Sequence, residues 1–342
     1  MTLPETMSAL VQRESGYAGT STGLMLDDLN KWAELVTIPT PKPGPGQVVI
    51  KVALSPVNPS DVHFLKGEYG QPRVKGAPAG FEACGTVVAA GAGAEGLMGK
   101  RVSFVATASG AWAEYAMTDG VRCIPLRDDV RDEDGAALIV NPLTALAMFD
   151  IARRAKAESF IATAGGSQLG KLLAGLARDH NLPMIGVVRR MDAAEDLLTY
   201  GATAALATED PEFQTKMLAT FKAMKPRVML DAVGDQITAD MFAAMPARAR
   251  WINYGKIATE APKLTEMGQL IFMSKQIEGF WLSKWMVEET PEIRMAVVME
   301  AQERFASGTW KIDEAARLSL SDALTGLAPA LQTGGGKVFI AP

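Results

Sequence analysis

Cysteine and histidine are scarce in this chain of 342 residues: Cys84, Cys123, His63 and His180 are all it has. Two cysteines close at most one disulfide, and these four residues cannot furnish both a catalytic and a structural zinc site of the usual His/Cys kind. No apolar run approaches the roughly 18 residues of a membrane span, and the N-terminus lacks the basic-then-apolar pattern of a secretory signal. The net charge of −5 argues against a general nucleic-acid surface. Internal repeats, low-complexity tracts and long linkers are missing too. The expectation is a cytosolic globular protein. Its 48% hydrophobic and 21% charged residues are ordinary for that class, and its length is comfortable for two domains.

The most informative stretch is ESFIATAGGSQLGKLLAGLARDHNLPMIGVVRR, residues 158–190. A short apolar run, residues 160–163, stops at the small-residue turn Ala164-Gly165-Gly166-Ser167. Leu169, Leu172, Leu173, Leu176 and Ala177 then recur with the spacing of one helical face. A second apolar run, residues 184–188, follows. Strand, turn, helix and strand make a βαβ unit, and the unpaired N–H groups opening its helix suit a pyrophosphate. Those positions fall at Gly166, Ser167, Gln168 and Leu169. Against the G-x-G-x-x-G fingerprint the turn reads A-x-x-S-x-x-G, from Ala164 through Ser167 to Gly170. An NAD site places an acid about 20 residues beyond the turn, for the ribose 2′-hydroxyl. Here the second strand ends in Arg189-Arg190, with no acid before Asp192. Cations suit a 2′-phosphate, so the cofactor expected is NADP(H).

Before this unit the chain is β-like. Residues 48–54, 101–105 and 111–115 are short apolar segments, broken by Gly and Pro, as in a small irregular barrel. Residues 1–36 yield no clear pattern. The acidic run 128–134 reads as the start of a helix. After Arg190, a helix over 193–200 and strands near 204–206, 228–232, 251–254 and 276–281 complete six strands interleaved with helices, a doubly wound parallel sheet. The tail is expected to be helical over 291–316 and 323–331, ending in a strand over 337–340 that returns to the first domain.

Gly80-Phe81-Glu82-Ala83-Cys84-Gly85-Thr86-Val87 with Gly91 resembles the G-H-E-x-x-G-x-V-x-x-x-G stretch of the medium-chain dehydrogenase/reductase superfamily, and the domain order is similar. Phe81 and Asn58 stand where zinc-dependent alcohol dehydrogenases have a ligand histidine and cysteine. Neither side chain is a zinc ligand of the needed kind, so no metal is expected. Among zinc-free members the chain is similar to the 2-enoyl thioester reductases. The similarity rests on residues 56–61 with Gly67-Glu68-Tyr69-Gly70, on Asn141-Pro142-Leu143-Thr144-Ala145, on the turn followed by a strand ending in Arg189, and on residues 279–285, GFWLSKW. Quinone oxidoreductases share looser forms of the first two.

The resemblance implies an α/β fold: a GroES-like β-rich catalytic domain over 1–137, a Rossmann NADP(H)-binding domain with a six-stranded parallel sheet over 138–287, and a return segment over 288–342. It implies reduction of an activated C=C bond of an enoyl thioester or enone, with hydride delivered to the β-carbon while charge builds on the carbonyl oxygen. Tyr69 would be the donor in the substrate cleft; a phenol with an ordinary pKa near 10 is protonated at neutral pH. Asn58 would lie near the nicotinamide ribose and Thr144 near the nicotinamide, Asn141 would bind the cofactor, and Phe280-Trp281 would lie at the nicotinamide and acyl pocket. Tyr254 would flank the cofactor, and Lys337 would reach the adenosine phosphate. Lys66, Arg73 and Lys75 could line a basic entrance for a pantetheine arm. His63 and His180 attract no functional assignment. A small-molecule substrate and a homodimer are implied; nucleic acid and membrane are not. Two other readings stay open, an NADPH:quinone oxidoreductase and an NADP(H)-binding protein with little turnover.

Overall fold

The computed structural model describes residues 3–106 and 110–342. The chain divides into two compact units, Met1–Val140 with Val298–Pro342, and Asn141–Val297. The units change at Asn141 and Val298, against the boundaries expected at 138 and 288. Among the described residues no helix is long and apolar enough to cross a membrane.

The unit Asn141–Val297 holds six parallel strands. Across the sheet they run Ala204–Ala207, Met184–Val188, Phe160–Ala162, Val228–Asp231, Arg250–Asn253 and Gln276–Gly279. The order reverses between Phe160–Ala162 and Val228–Asp231, and ligands of such sheets bind at the carboxyl ends of the strands at that reversal. Burial explains the strand sequences. Every residue of Phe160–Ala162, Met184–Val188 and Val228–Asp231 is buried, so these strands are apolar without alternation, as in a sheet covered on both faces. Helix Gln168–Asp179 turns Leu169, Leu172, Leu173 and Leu176 inward, and Phe221, Phe242 and Trp251 fill the core on the sheet's other elements. Gln276–Gly279 is the exception: it is an edge strand and mostly exposed.

In the other unit, strand Gln47–Pro56 is central. It pairs antiparallel with Glu82–Ala90 along one side and with Tyr115–Asp119 and Lys337–Ile340 along the other. The tail therefore does return: Phe339 lies opposite Pro56, and the Val57 N–H donates to the Val338 carbonyl at 2.8 Å. That pairing fixes Lys337 beside Asn58.

Three expectations change. The unread N-terminus contains strands Thr6–Gln12 and Ala33–Pro39, paired antiparallel. The helix from Pro291 stops at Ala306, and Glu314–Leu318 is a strand parallel to Lys337–Ile340 rather than more helix. Gly308, at φ +74°, turns the chain between them. Of the segment 111–115 only Tyr115 is in a strand, Tyr115–Asp119; Ala111, Trp112 and Ala113 form a buried approach to it. Between the two units the chain passes through a π-turn, Ile139–Leu143, because Pro142 has no N–H to give an α-helical ladder, and continues as helix Thr144–Arg154.

Candidate active site

In the parallel-sheet unit the turn after Phe160–Ala162 is shaped by two glycines. The Gly165 N–H donates to the Val187 carbonyl at 2.9 Å, which seats the turn on the neighbouring strand. A Cβ on Gly170 would lie 2.2 Å from the Gly165 oxygen, so only glycine lets the helix start this close. Ala164, by contrast, sits at φ +49°, a left-handed conformation that costs an L-residue free energy. Gly166 and Ser167 are exposed, and a Cβ on Gly166 would meet nothing nearer than 3.7 Å. Glycine there leaves the backbone open to a ligand instead of relieving a clash. Ser167 caps the helix, its Oγ accepting the Gly170 N–H at 3.2 Å. The N–H groups of Gly166, Gln168 and Leu169 meet no acceptor among the described residues. This is a fit for a pyrophosphate. The same packing places Val188 and Ala193 against Gly166, so Arg189 and Arg190 lie just beyond it. Arg190 is held by both oxygens of Asp192, at 2.9 and 3.0 Å, whereas exposed Arg189 has the looser partner, Glu209 at 3.4 Å.

At the sheet's carboxyl edge stands a residue that the sequence reading missed. Asp231 is fully buried at its strand end and accepts from Thr163 Oγ1 (2.6 Å), Trp251 Nε1 (2.9 Å) and the N–H groups of Val233 and Gly234 (both 3.0 Å). Burial raises its pKa, against those four bonds. An acid closing an apolar strand before a glycine, DAVG, was the available signal. Asp231 also accepts the Tyr254 N–H through its backbone carbonyl at 2.8 Å, and Phe280 donates to the Asn253 carbonyl at 2.8 Å. Tyr254 and Phe280 thereby leave adjacent strands; both are half-buried, and Trp281 is 43% exposed. Asn141 is half-buried in the π-turn, and Thr144 is buried at the start of its helix.

The other unit assembles Asn58, Asp61, Glu82 and Lys337, all buried. Asn58 Nδ2 donates to Glu82 Oε1 at 2.8 Å, and its Oδ1 accepts from Lys337 Nζ. The second Glu82 oxygen accepts the N–H groups of Ile139 (3.1 Å) and Val140 (2.8 Å). Asp61 accepts the backbone N–H groups of Asn58 (2.7 Å) and Phe81 (2.9 Å). Burial, with the Glu82 charge adding to it, pushes Asp61 up to about 7. It raises Glu82 too, and lowers Lys337 while the two carboxylates pull that ammonium back up. Lys337 is thus not a surface lysine extended toward an adenosine phosphate. It shares Asn58's position, because the return strand is paired to the residues just before Asn58.

Tyr69 lies with its ring centroid 5.1 Å from that of Phe81 and 6.4 Å from that of Phe64. The expected basic entrance does not form around it from Lys66 and Arg73, which are 3% and 8% exposed and bonded to backbone carbonyls. Lys75 remains exposed. Among the described residues no three His, Cys, Asp or Glu side chains gather as a metal site.

Residues 44–128 match the alcohol dehydrogenase GroES-like domain, and residues 169–298 match the zinc-binding dehydrogenase family. A protein of Mesorhizobium loti, provisionally assigned as an NADPH:quinone reductase, has a structure similar over 100% of both chains, with TM-score 0.97 and 47% identity. The chain belongs to the medium-chain dehydrogenase/reductase superfamily. Within that superfamily it is also 28% identical, over 89% of its length and 83% of the relative's, to the mitochondrial enoyl-[acyl-carrier-protein] reductase of Bos taurus. A mycobacterial protein complexed with NADPH shares the fold, with TM-score 0.80 and 23% identity over 98% of this chain and 100% of that one. Phe81 and Asn58, the residues expected where zinc-dependent relatives have metal ligands, stand one in an aromatic cluster and the other committed to Glu82 and Lys337.

Three outcomes follow from this geometry. In urea titrations Gly170→Ala should lose about 2 kcal/mol or more through the clash with Gly165. Ala164→Gly should gain about 0.5–1 kcal/mol by relieving the left-handed alanine; the opposite order would refute the turn's conformation. For Asp61, the folded carboxyl keeps its proton up to about 7, whereas the unfolded one loses it near its ordinary value of about 4. Its contribution is therefore fully present below about 4 and is lost as pH rises toward 7. Melting temperature should fall from pH 5 to pH 7.5, and fall less steeply in Asp61→Asn. Equal slopes would show that Asp61 is ionised throughout.

Proposed function

We propose that this protein is a zinc-independent, NADPH-dependent reductase of an activated C=C bond, in a 2-enoyl thioester or enone. The observation that carries the reading is an exchange of chemistry at one place. Where a metal-ligand histidine would stand there is Phe81, and the ring of Tyr69 is packed 5.1 Å from it. A phenol donates a hydrogen bond, and in its presence a carbonyl need not be polarised by a metal.

For the cofactor, the open N–H groups of Gly166, Gln168 and Leu169 suit the pyrophosphate, whereas the Ser167 N–H is taken by the Ala164 carbonyl at 2.9 Å; Arg189, the less committed of the two arginines, suits the 2′-phosphate. NADPH supplies, when bound, the hydride that adds to the β-carbon of the acceptor. The chain's own task is to orient that acceptor and to meet the charge growing on its carbonyl oxygen. We assign the second role to Tyr69. Asn58 is assigned to the nicotinamide ribose, with Lys337 beside it, and Asn141, Thr144, Tyr254, Phe280 and Trp281 to the nicotinamide surroundings. Superfamily relatives named as enoyl reductases support the substrate class. The similarity at 47% identity to a protein provisionally assigned as a quinone reductase favours a second reading, NADPH:quinone oxidoreduction.

We further propose a homodimer formed through Gln276–Gly279. An edge strand leaves backbone groups unpaired, and here Ile277, Ile271, Phe272 and Val287 on it and its flanking helices are exposed, Phe272 by 86%. Phe272→Asp combined with Ile277→Lys should shift sedimentation from dimer to monomer; an unchanged sedimentation coefficient would place the contact elsewhere.

The deciding assay is NADPH oxidation with crotonyl-CoA and with a simple quinone in parallel. Turnover confined to crotonyl-CoA supports the enoyl reductase, turnover confined to the quinone transfers the protein to the second reading, and silence with both while NADPH binds would leave a binding role. Arg189→Ala should weaken NADPH about tenfold or more while leaving NADH nearly unchanged; equal loss would remove the 2′-phosphate assignment. Tyr69→Phe should lower turnover about 100-fold with NADPH affinity preserved. Undiminished turnover would reduce Tyr69 to packing.

A further inference from the structure

The residues bracketing Tyr69 are an unusual place for charge. Lys66, Glu68 and Arg73 are all nearly inaccessible, with Lys66 3% exposed and the Glu68 side chain 2%. Burying an ion costs several kcal/mol unless its bonding capacity is met, so the groups that meet it are fixed as well. Most of them come from a single segment. The Lys66 ammonium donates to the carbonyls of Gly23 (2.6 Å) and Met25 (3.0 Å). Glu68 Oε1 accepts the N–H (2.7 Å) and the hydroxyl (2.8 Å) of Thr22, and its Oε2 accepts the Ser21 hydroxyl at 3.1 Å and faces His63 Nδ1 at 3.1 Å. Arg73 Nε donates to the Gly16 carbonyl at 3.1 Å, while its Nη1 donates to Leu65. Backbone bonds repeat the pattern, with the Ala18 N–H on the Gly67 carbonyl at 2.8 Å and Gly16 exchanging bonds with Arg73. Gly67 has φ +72°, and a Cβ on it would lie 2.8 Å from the Ala18 nitrogen.

We infer that residues 15–25 form a strap whose function is to position Tyr69, with Glu68 as the positioning residue. The inference rests on the reading of Tyr69 as the substrate donor. The strap grips the chain at 66–68 and again at 73, on both sides of the tyrosine, and leaves 69–72 between the grips. Tyr69 then has little freedom beyond its own side-chain torsions, as a donor aimed at one oxygen needs. Polar anchoring also gives a defined register that an apolar contact would not: each Glu68 oxygen has its own set of donors.

Two measurements test this. In hydrogen–deuterium exchange, Thr22→Val should speed exchange across residues 66–70 while leaving helix Gln168–Asp179 at its wild-type rate. Unchanged exchange across 66–70 would overturn the strap. In kinetics with crotonyl-CoA, Glu68→Ala should lower kcat/KM about tenfold at unchanged NADPH affinity. Glu68→Gln should recover most of the loss, since its amide oxygen keeps both Thr22 donors and its NH2 can donate to Ser21 and to His63. In a Tyr69→Phe background the Glu68→Ala effect should vanish, because the two act through one group. A full tenfold loss persisting in that background would overturn the positioning role. If Thr22→Val loosens the turn but neither it nor Tyr69→Phe slows turnover, the donor role of Tyr69 falls, and the positioning inference falls with it.

Discussion

A lysine ammonium with almost no access to water sets the terms for the unit Met1–Val140 with Val298–Pro342. Lys337 reaches its buried position because the last strand of the chain pairs with Gln47–Pro56, and its charge is answered by the Asn58 amide and by the nearby Glu82 carboxylate, joined by Asp61 once that carboxyl ionises at about 7. Each of these groups pays heavily for leaving water, and removal of any one strands the others. Four separate pieces of chain are therefore committed to each other. They are the return strand, the residues opening helix Pro59–Leu65, strand Glu82–Ala90, and the π-turn at Ile139–Val140. The amide of Asn58, gripped at its oxygen by Lys337 and at its nitrogen by Glu82, has a fixed orientation.

The same device, ions buried against polar partners, recurs at the Tyr69 turn and at Asp231. In each case a charged residue holds backbone in place next to a residue assigned to catalysis or to the cofactor. At Asp231 the side chains of Thr163, Trp251, Thr238 and Asn253 and two loop N–H groups converge on one carboxylate at the sheet's carboxyl edge. The chemistry proposed for this protein asks little of its side chains beyond donation of a hydrogen bond at the right spot. Rigid positioning is what such a mechanism requires from the fold.

How legible this was in the sequence depended on the range of the forces involved. The parallel sheet and its turn were readable because strand runs and the Leu169–Leu176 face are local periodicities. Glu314-Ala315-Ala316, the end of the helix expected over 291–316, are good helix formers, but pairing with Lys337–Ile340 overrides that preference and makes them the start of strand Glu314–Leu318. The segment 15–25 has no periodicity, and its order comes from long-range bonds to Lys66, Glu68 and Arg73. Those three residues look like surface charges in a sequence, since nothing local reveals that carbonyls and hydroxyls wait for them. Lys337 was misplaced for the same reason.

The most direct measurement is to follow the hydride itself. Crotonyl-CoA would be reduced with NADPH carrying deuterium at C4, each face labelled in turn, and the product examined by mass spectrometry and NMR. An enoyl reductase should give, from one face only, butyryl-CoA with a single deuterium at the β-carbon, and should label the α-carbon only when the reaction is run in heavy water. NADPH consumed without label at the β-carbon would contradict the assignment of this protein to C=C reduction.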